Sequence, residues 1–213
     1  MTLVALTTTQ ADTALVDVAK LDLRWKLDVK YATTDNFTRK ALYASARCFL
    51  RPNVAQMLVT AQKWLDANHK GYTFILKDCY RPVSVQRAMW EVVKDTSMRG
   101  YVADPNSKYG SVHNYGCAVD LTIADQNGVE VDMGTAYDHL GKLAEPRHEN
   151  EYLAEGKLTA KQIAMRQVLR DAMLAGSFKA IPNEWWHFNA LVGESLRAAY
   201  EPLDIPFEAL GGS

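Results

Sequence analysis

In GSVHNYGCAVDL, residues 110–121, His113 and Asp120 stand seven positions apart around Gly116. The glycine between them argues against one unbroken helix or strand carrying both. Gly116 permits a tight turn, so the chain can leave His113 in a loop and enter a strand on which Asp120 points the same way. A second pair, Glu184 and His187, lies in NEWWHF among bulky apolar groups. A charged group wedged between apolar neighbours costs several kcal/mol unless it is paired or coordinated.

One site can use all four residues. Two neutral imidazoles and one carboxylate form a three-ligand set for a single zinc ion per chain, with the fourth position left to water and a second carboxylate free to act as general base. The expected roles are His113, Asp120 and His187 as metal ligands and Glu184 as the base. Zinc so held lowers the pKa of its water to about 7. Residues three apart in an ideal strand face opposite ways, so this arrangement requires a bulge or bend between Glu184 and His187.

The elements that must carry these groups can be traced along the chain. Residues 53–70 place apolar side chains at 54, 57, 58, 61, 64 and 65, which predicts a helix with Asn53 as N-cap and Gly71 as its stop. YTFILKD at 72–78 predicts a strand. Pro82 suits the first position of a helix over about 82–97. Residues 117–125 predict another strand, and Asn127-Gly128 a hairpin turn into a second limb, VEVDM, at 129–133. Thr159 and Gln162 form a capping box for a helix over about 160–175, ended by Gly176. NEWWHFNAL is strand-like. Helical and antiparallel strand signals mix without regular βαβ alternation, which predicts an α+β fold: a single domain over 1–213, its core at about 20–200, with helices flanking a small antiparallel sheet.

The 213 residues suit one sizeable core, and 48% apolar with 23% charged residues is the balance of a soluble globule. No apolar run approaches the roughly 20 residues of a membrane helix, so no membrane association is expected. The net charge of -1, without blocks of like charge, disfavours nucleic acid as a partner. The N-terminal stretch lacks basic residues ahead of an apolar core, so no export signal is read and a cytoplasmic location is expected. Cys48, Cys79 and Cys117 are odd in number and widely spaced, which favours small buried thiols over a disulfide frame. The oligomeric state is left open.

GSVHNYGCAVDLT resembles the SxHxxGxAxD motif, and EWWH the ExxH motif, of the zinc-dependent D-alanyl-D-alanine dipeptidases, the VanX-type enzymes of the peptidase M15 family. YATTDNF at 31–37, DCYRP at 78–82 and MGTAYD at 133–138 resemble that family's YATxDNF, DGYRP and MGxxFD segments in the same order, so the likeness spans about residues 20–190. The resemblance implies the same ligand set and base. It implies hydrolysis of a small dipeptide, D-Ala-D-Ala, a chemistry that vancomycin resistance, recycling of peptidoglycan and nutrition would share, with the choice among them left open. From the residues alone, Arg81 is a surface ion pair with Asp78 as partner; the resemblance implies that it stabilises the oxyanion, with Asp78 as its orienter. Tyr31 and Asp138, otherwise a half-buried aromatic and a loop residue, are implied to hold the substrate's free amino group, and Ser111 to contact substrate. Tyr137 and Cys79 depart from the family segments, the first mildly and the second beside Arg81.

Two rivals follow from the same residues. One is a zinc carboxypeptidase or endopeptidase acting on peptidoglycan peptides through a more open cleft. The other is a zinc-stabilised module that binds cell-wall fragments without cutting them, against which a free carboxylate at Glu184 argues, because structural zinc takes four protein ligands. Trp185 and Trp186 are expected as core and pocket wall, and residues 142–160 as either the pocket mouth or surface.

Overall fold

Residues 14–210 are described by a computed structural model of the chain. Most of the N-terminal stretch in which no export signal was read lies outside the described residues. Strand β1, Val16–Asp17, and β2, Lys26–Leu27, precede β3, Phe49–Leu50. Helix α1, Pro52–Asn68, leads into β4, Thr73–Asp78, and α2, Val83–Val93. Strand β5, Ala118–Ala124, is followed by α3, Glu149–Ala154, and α4, Ala160–Ala175. The short strands β6, Lys179–Ala180, and β7, His187–Asn189, then precede α5, Gly193–Ala199.

The main sheet has the order β2-β4-β5-β7-β6, and β1 pairs with β3 in a separate two-stranded ribbon. Every pair is antiparallel except β2 with β4. The α+β architecture with a small, largely antiparallel sheet and flanking helices is therefore as expected. Helix α1 packs on β4 and on α4, and Val54, Leu58, Ala61 and Leu65 supply its buried side. Every residue of β4 and β5 is buried, so these central strands are covered on both faces, and apolar runs rather than strict alternation result.

Several boundaries differ from the sequence reading. Pro52, not Asn53, begins α1, with Arg51 at the N-cap; the proline's missing N–H costs nothing in the first turn. Pro82 is the N-cap of α2 rather than its first residue. The Asn127-Gly128 turn forms, with Gly128 at φ 75°, but the predicted limb 129–133 reduces to one bridge between Ala124 and Glu130. Val131 N–H still donates to Ile123 O at 2.8 Å; beside that contact the Glu130 carboxylate meets the buried Lys77 ammonium at 2.7 Å, and Asp132 accepts from Gly134 N–H and Gln162. The Thr159 and Gln162 capping box of α4 is present.

The largest correction concerns the cysteines. Cys48 and Cys79 form a disulfide with Cα atoms 5.2 Å apart, and only Cys117 is a free thiol. Their separation of 31 residues carries no local signal; the pairing arises because Phe49 O accepts from Tyr80 N–H, laying the two segments side by side. Disulfides persist where thiols are kept oxidised, so the cytoplasmic expectation gains no support from the fold. Among the described residues no helix is long and apolar enough to cross a membrane.

Candidate metal centre and its cleft

The sheet register builds the site. Asp78 on β4 pairs with Asp120 on β5, and Asp120 pairs with His187 on β7, so three of the predicted residues form one row across three strands. A register shift between Leu76 and Asp78 re-aims the end of β4. His113 arrives from a single 3₁₀ turn, Val112–Tyr115, that ends at Gly116 in the left-handed region, φ 69°. A Cβ on Gly116 would fall 2.7 Å from a Leu15 methyl, so glycine is needed for both backbone and space. The bend required between Glu184 and His187 is present: β7 begins only at His187, and Glu184 lies in the irregular chain before it.

His113 Nε2 lies 3.1 Å from His187 Nδ1 and 3.2 Å from Asp120 Oδ1, and His187 Nδ1 lies 2.9 Å from the same oxygen. These three atoms form a near-equilateral triangle. A tetrahedral ion with ligands at about 2.0–2.1 Å has ligand edges of about 3.3 Å, so the donor set fits zinc in both chemistry and spacing. The second nitrogen of each ring fixes its tautomer. His113 Nδ1 faces the Cys79 carbonyl at 2.6 Å, and a carbonyl only accepts, so Nδ1 carries the proton and Nε2 presents a lone pair to the triangle. His187 Nε2 donates to Asn189 Oδ1 at 2.9 Å, which leaves Nδ1 bare.

Burial raises the pKa of Asp120, but the imidazoles of His113 and His187 outweigh it and hold the carboxyl well below its usual range. Burial also opposes protonation of His187, and the hydrogen bond that its protonated ring donates to Asp120 overcomes it, so its pKa is raised. A metal ion at this site would therefore compete with a proton at His187. Glu184 Oε2 lies 4.0 Å from His187 Nδ1, outside the ligand triangle. Burial lifts its carboxyl from 4.5 to about 7, the range in which a general base is most effective at neutral pH.

Glu184, His113, His187, Arg81 and Ser111 line one cavity of about 250 Å³. Arg81 is not the surface ion pair that its sequence context allowed. It is buried, donates through Nε and Nη2 to Asp78 Oδ2 at 3.0 and 2.7 Å, and through Nη1 to Gln86 Oε1 at 2.7 Å. Asp78 is itself held by Tyr43 O–H at 2.8 Å and the Cys79 N–H at 2.9 Å. The guanidinium is thereby fixed on the metal side of the cleft, its Nη2 4.0 Å from Asp120 Oδ2.

Asp138 sits at φ 61° on the chain that follows the abortive hairpin. Its Oδ1 accepts from Tyr31 O–H at 3.0 Å, while its buried Oδ2 has no hydrogen-bond partner. Burial holds this carboxyl well above its usual range. It lines a neighbouring cavity of about 520 Å³ with Lys30, Arg39 and Lys77 rather than the metal cavity itself, yet it interacts electrostatically with Arg81 and Glu184.

Sequence reasoning missed Asn189, Gln86 and Tyr43, which orient His187, Arg81 and Asp78. Asn189 had a usable signal, because it stands two residues beyond His187 on the same strand face. The 142–160 stretch does shape the cleft: buried Glu145 accepts at 2.6 Å from the hydroxyl of Tyr101, a residue of the metal cavity's wall. Trp185 and Trp186 are 2% and 1% exposed, which makes them core rather than wall.

The profile of a peptidase family, described as D-ala-D-ala dipeptidase, matches residues 11–202. A D-alanyl-D-alanine dipeptidase of Escherichia coli (strain K12) is 34% identical over 176 residues, covering 83% of this chain and 84% of the relative. One from Streptomyces coelicolor is 30% identical over 83% of this chain and 90% of its own length. Another, from Enterococcus faecium, is 29% identical over 78% and 85%.

Proposed function

The chain belongs to the D-ala-D-ala dipeptidase family of metallopeptidases, and from that premise we propose that it hydrolyses D-Ala-D-Ala to two D-alanines with one zinc ion held by His113, Asp120 and His187. The observation that carries this reading is the triangle of bare donor atoms with Glu184 beside it, in one cavity with a fixed guanidinium. Zinc in that triangle would supply Lewis acidity at the scissile carbonyl and an acidified water.

The chain's own groups divide the rest of the work. Glu184 Oε2 takes the proton of the attacking water and returns it to the departing amine, a two-way transfer that burial of the carboxyl favours by raising its affinity for the proton. Arg81 faces the oxyanion with a charge held in place by Asp78 and Gln86, so little reorganisation is needed as negative charge develops. The partnerless Oδ2 of Asp138 suits a substrate ammonium, which would hold that carboxyl ionised against its burial. A longer or blocked peptide has no such charge at that point, and this favours a free dipeptide over peptidoglycan chains. Ser111 lines the same cavity, which supports a contact with the substrate. Glycopeptide resistance, wall recycling and dipeptide nutrition would all draw on this one chemistry.

Glu184→Ala tests the division of labour. Turnover should be lost while zinc content, measured by atomic absorption, stays at one per chain. Near-normal turnover in that variant would refute the assigned base.

A further inference from the structure

We propose that Tyr137 is a positioning residue that fixes how Asp120 offers itself to the metal, an inference that rests on the zinc reading above. Asp120 has two oxygens with different surroundings. Oδ1 faces both ligand nitrogens, at 2.9 and 3.2 Å. Oδ2 accepts a hydrogen bond from Tyr137 O–H at 3.0 Å, while the Arg81 guanidinium, through Nη2, stands back at 4.0 Å. A carboxylate free to rotate could close on an ion with both oxygens and take the position that water needs. With Oδ2 engaged by the phenol, Asp120 presents one oxygen and the fourth position stays open.

The phenol is itself immobilised. Tyr137 is 8% exposed, and its ring meets Trp186 edge-on at 5.3 Å and Tyr31 at 6.3 Å between centroids. Those contacts aim the hydroxyl at Asp120 at little cost in side-chain entropy. The next residue is Asp138, whose Oδ1 receives the Tyr31 hydroxyl. One dipeptide thus ties the metal's carboxylate to the carboxylate proposed for the substrate's amine. Tyr137 is also where this sequence departs from the MGxxFD segment, and a phenylalanine there would keep the ring and lose the clamp.

Tyr137→Phe isolates the hydroxyl. Zinc affinity is read by competition with a chromophoric chelator, and the visible spectrum of the cobalt(II)-loaded protein reports coordination number, since four-coordinate cobalt absorbs more strongly than five-coordinate. The variant should bind zinc about tenfold more weakly, and its cobalt bands should weaken as Asp120 closes on the ion. A melting curve of the zinc-free variant confirms that it is folded. Zinc affinities equal within twofold overturn the proposal, as does an unchanged cobalt spectrum. Failure of the unsubstituted protein to take up zinc would overturn the metal reading and the role of Tyr137 with it.

Discussion

Glu184→Gln should stabilise the metal-free protein, and by an amount that grows with pH. Burial lifts the Glu184 carboxyl from 4.5 to about 7, and with the side chain only 11% exposed solvent screens little of that cost. Because each pKa unit corresponds to about 1.4 kcal/mol, the ionised carboxylate costs the fold about 3 kcal/mol once the pH exceeds 7. The sign follows from proton binding. Between 4.5 and 7 the unfolded chain releases this proton while the folded chain keeps it, so stability falls as pH rises through that window. Glutamine fills the same volume and never ionises. Urea titrations of chelator-treated protein should find the two within about 1 kcal/mol near pH 5 and the variant ahead by about 3 kcal/mol near pH 8. In melting temperature that is about 6–12 °C for a chain of this size. A gap that stayed constant across the two pH values, or a variant less stable near pH 8, would refute the claim that Glu184 is held as a buried, costly base.

Three further outcomes follow. The acidic limb of kcat/KM should report Glu184 and lie below the metal-free value of about 7, because zinc's charge favours the ionised carboxylate; a profile with no acidic limb between about pH 4 and 7 would exclude it as the titrating base. If the guanidinium held by Asp78 meets charge that develops only in the transition state, as proposed, Arg81→Met should lower kcat by about 10²–10³ with a much smaller change in KM; an effect confined to KM would make it a substrate-binding group instead. Cys48→Ala/Cys79→Ala should lose about 3–4 kcal/mol, the chain-entropy value for a closed loop of 31 residues, and reducing the native protein with a dithiol should lower its melting temperature comparably.

The chemistry of the site was more legible than its supports. The proposed ligands and base could be picked out from residue type together with the family resemblance, because carboxylates such as Asp120 and Glu184 among apolar neighbours have few other uses, and the structure brings these side chains together with His113 and His187. Their convergence was not legible. It depends on the pairing of Asp78 with Asp120 and of Asp120 with His187, which long-range register alone determines. The α4 capping box was readable because its partners are three residues apart. The β2 edge strand has two residues and lies parallel to β4, too short for any periodicity to show. Arg81 looked like a surface ion pair because sequence cannot reveal that Gln86 and Asp78 close around it in the interior. The disulfide escaped for the same reason: Cys48 and Cys79 are brought together by the pairing of their flanking segments, not by any spacing of their own.

Amine release from D-Ala-D-Ala, beside L-Ala-L-Ala and N-acetyl-D-Ala-D-Ala, is the most direct test of the account, run before chelation, after it, and after zinc is returned. The expected result is cleavage confined to the free D,D-dipeptide, lost with the metal and restored by zinc, with Asp138 contributing the demand for a free amine. Cleavage of the acetylated peptide at a comparable rate, or cleavage that survives chelation, would contradict it.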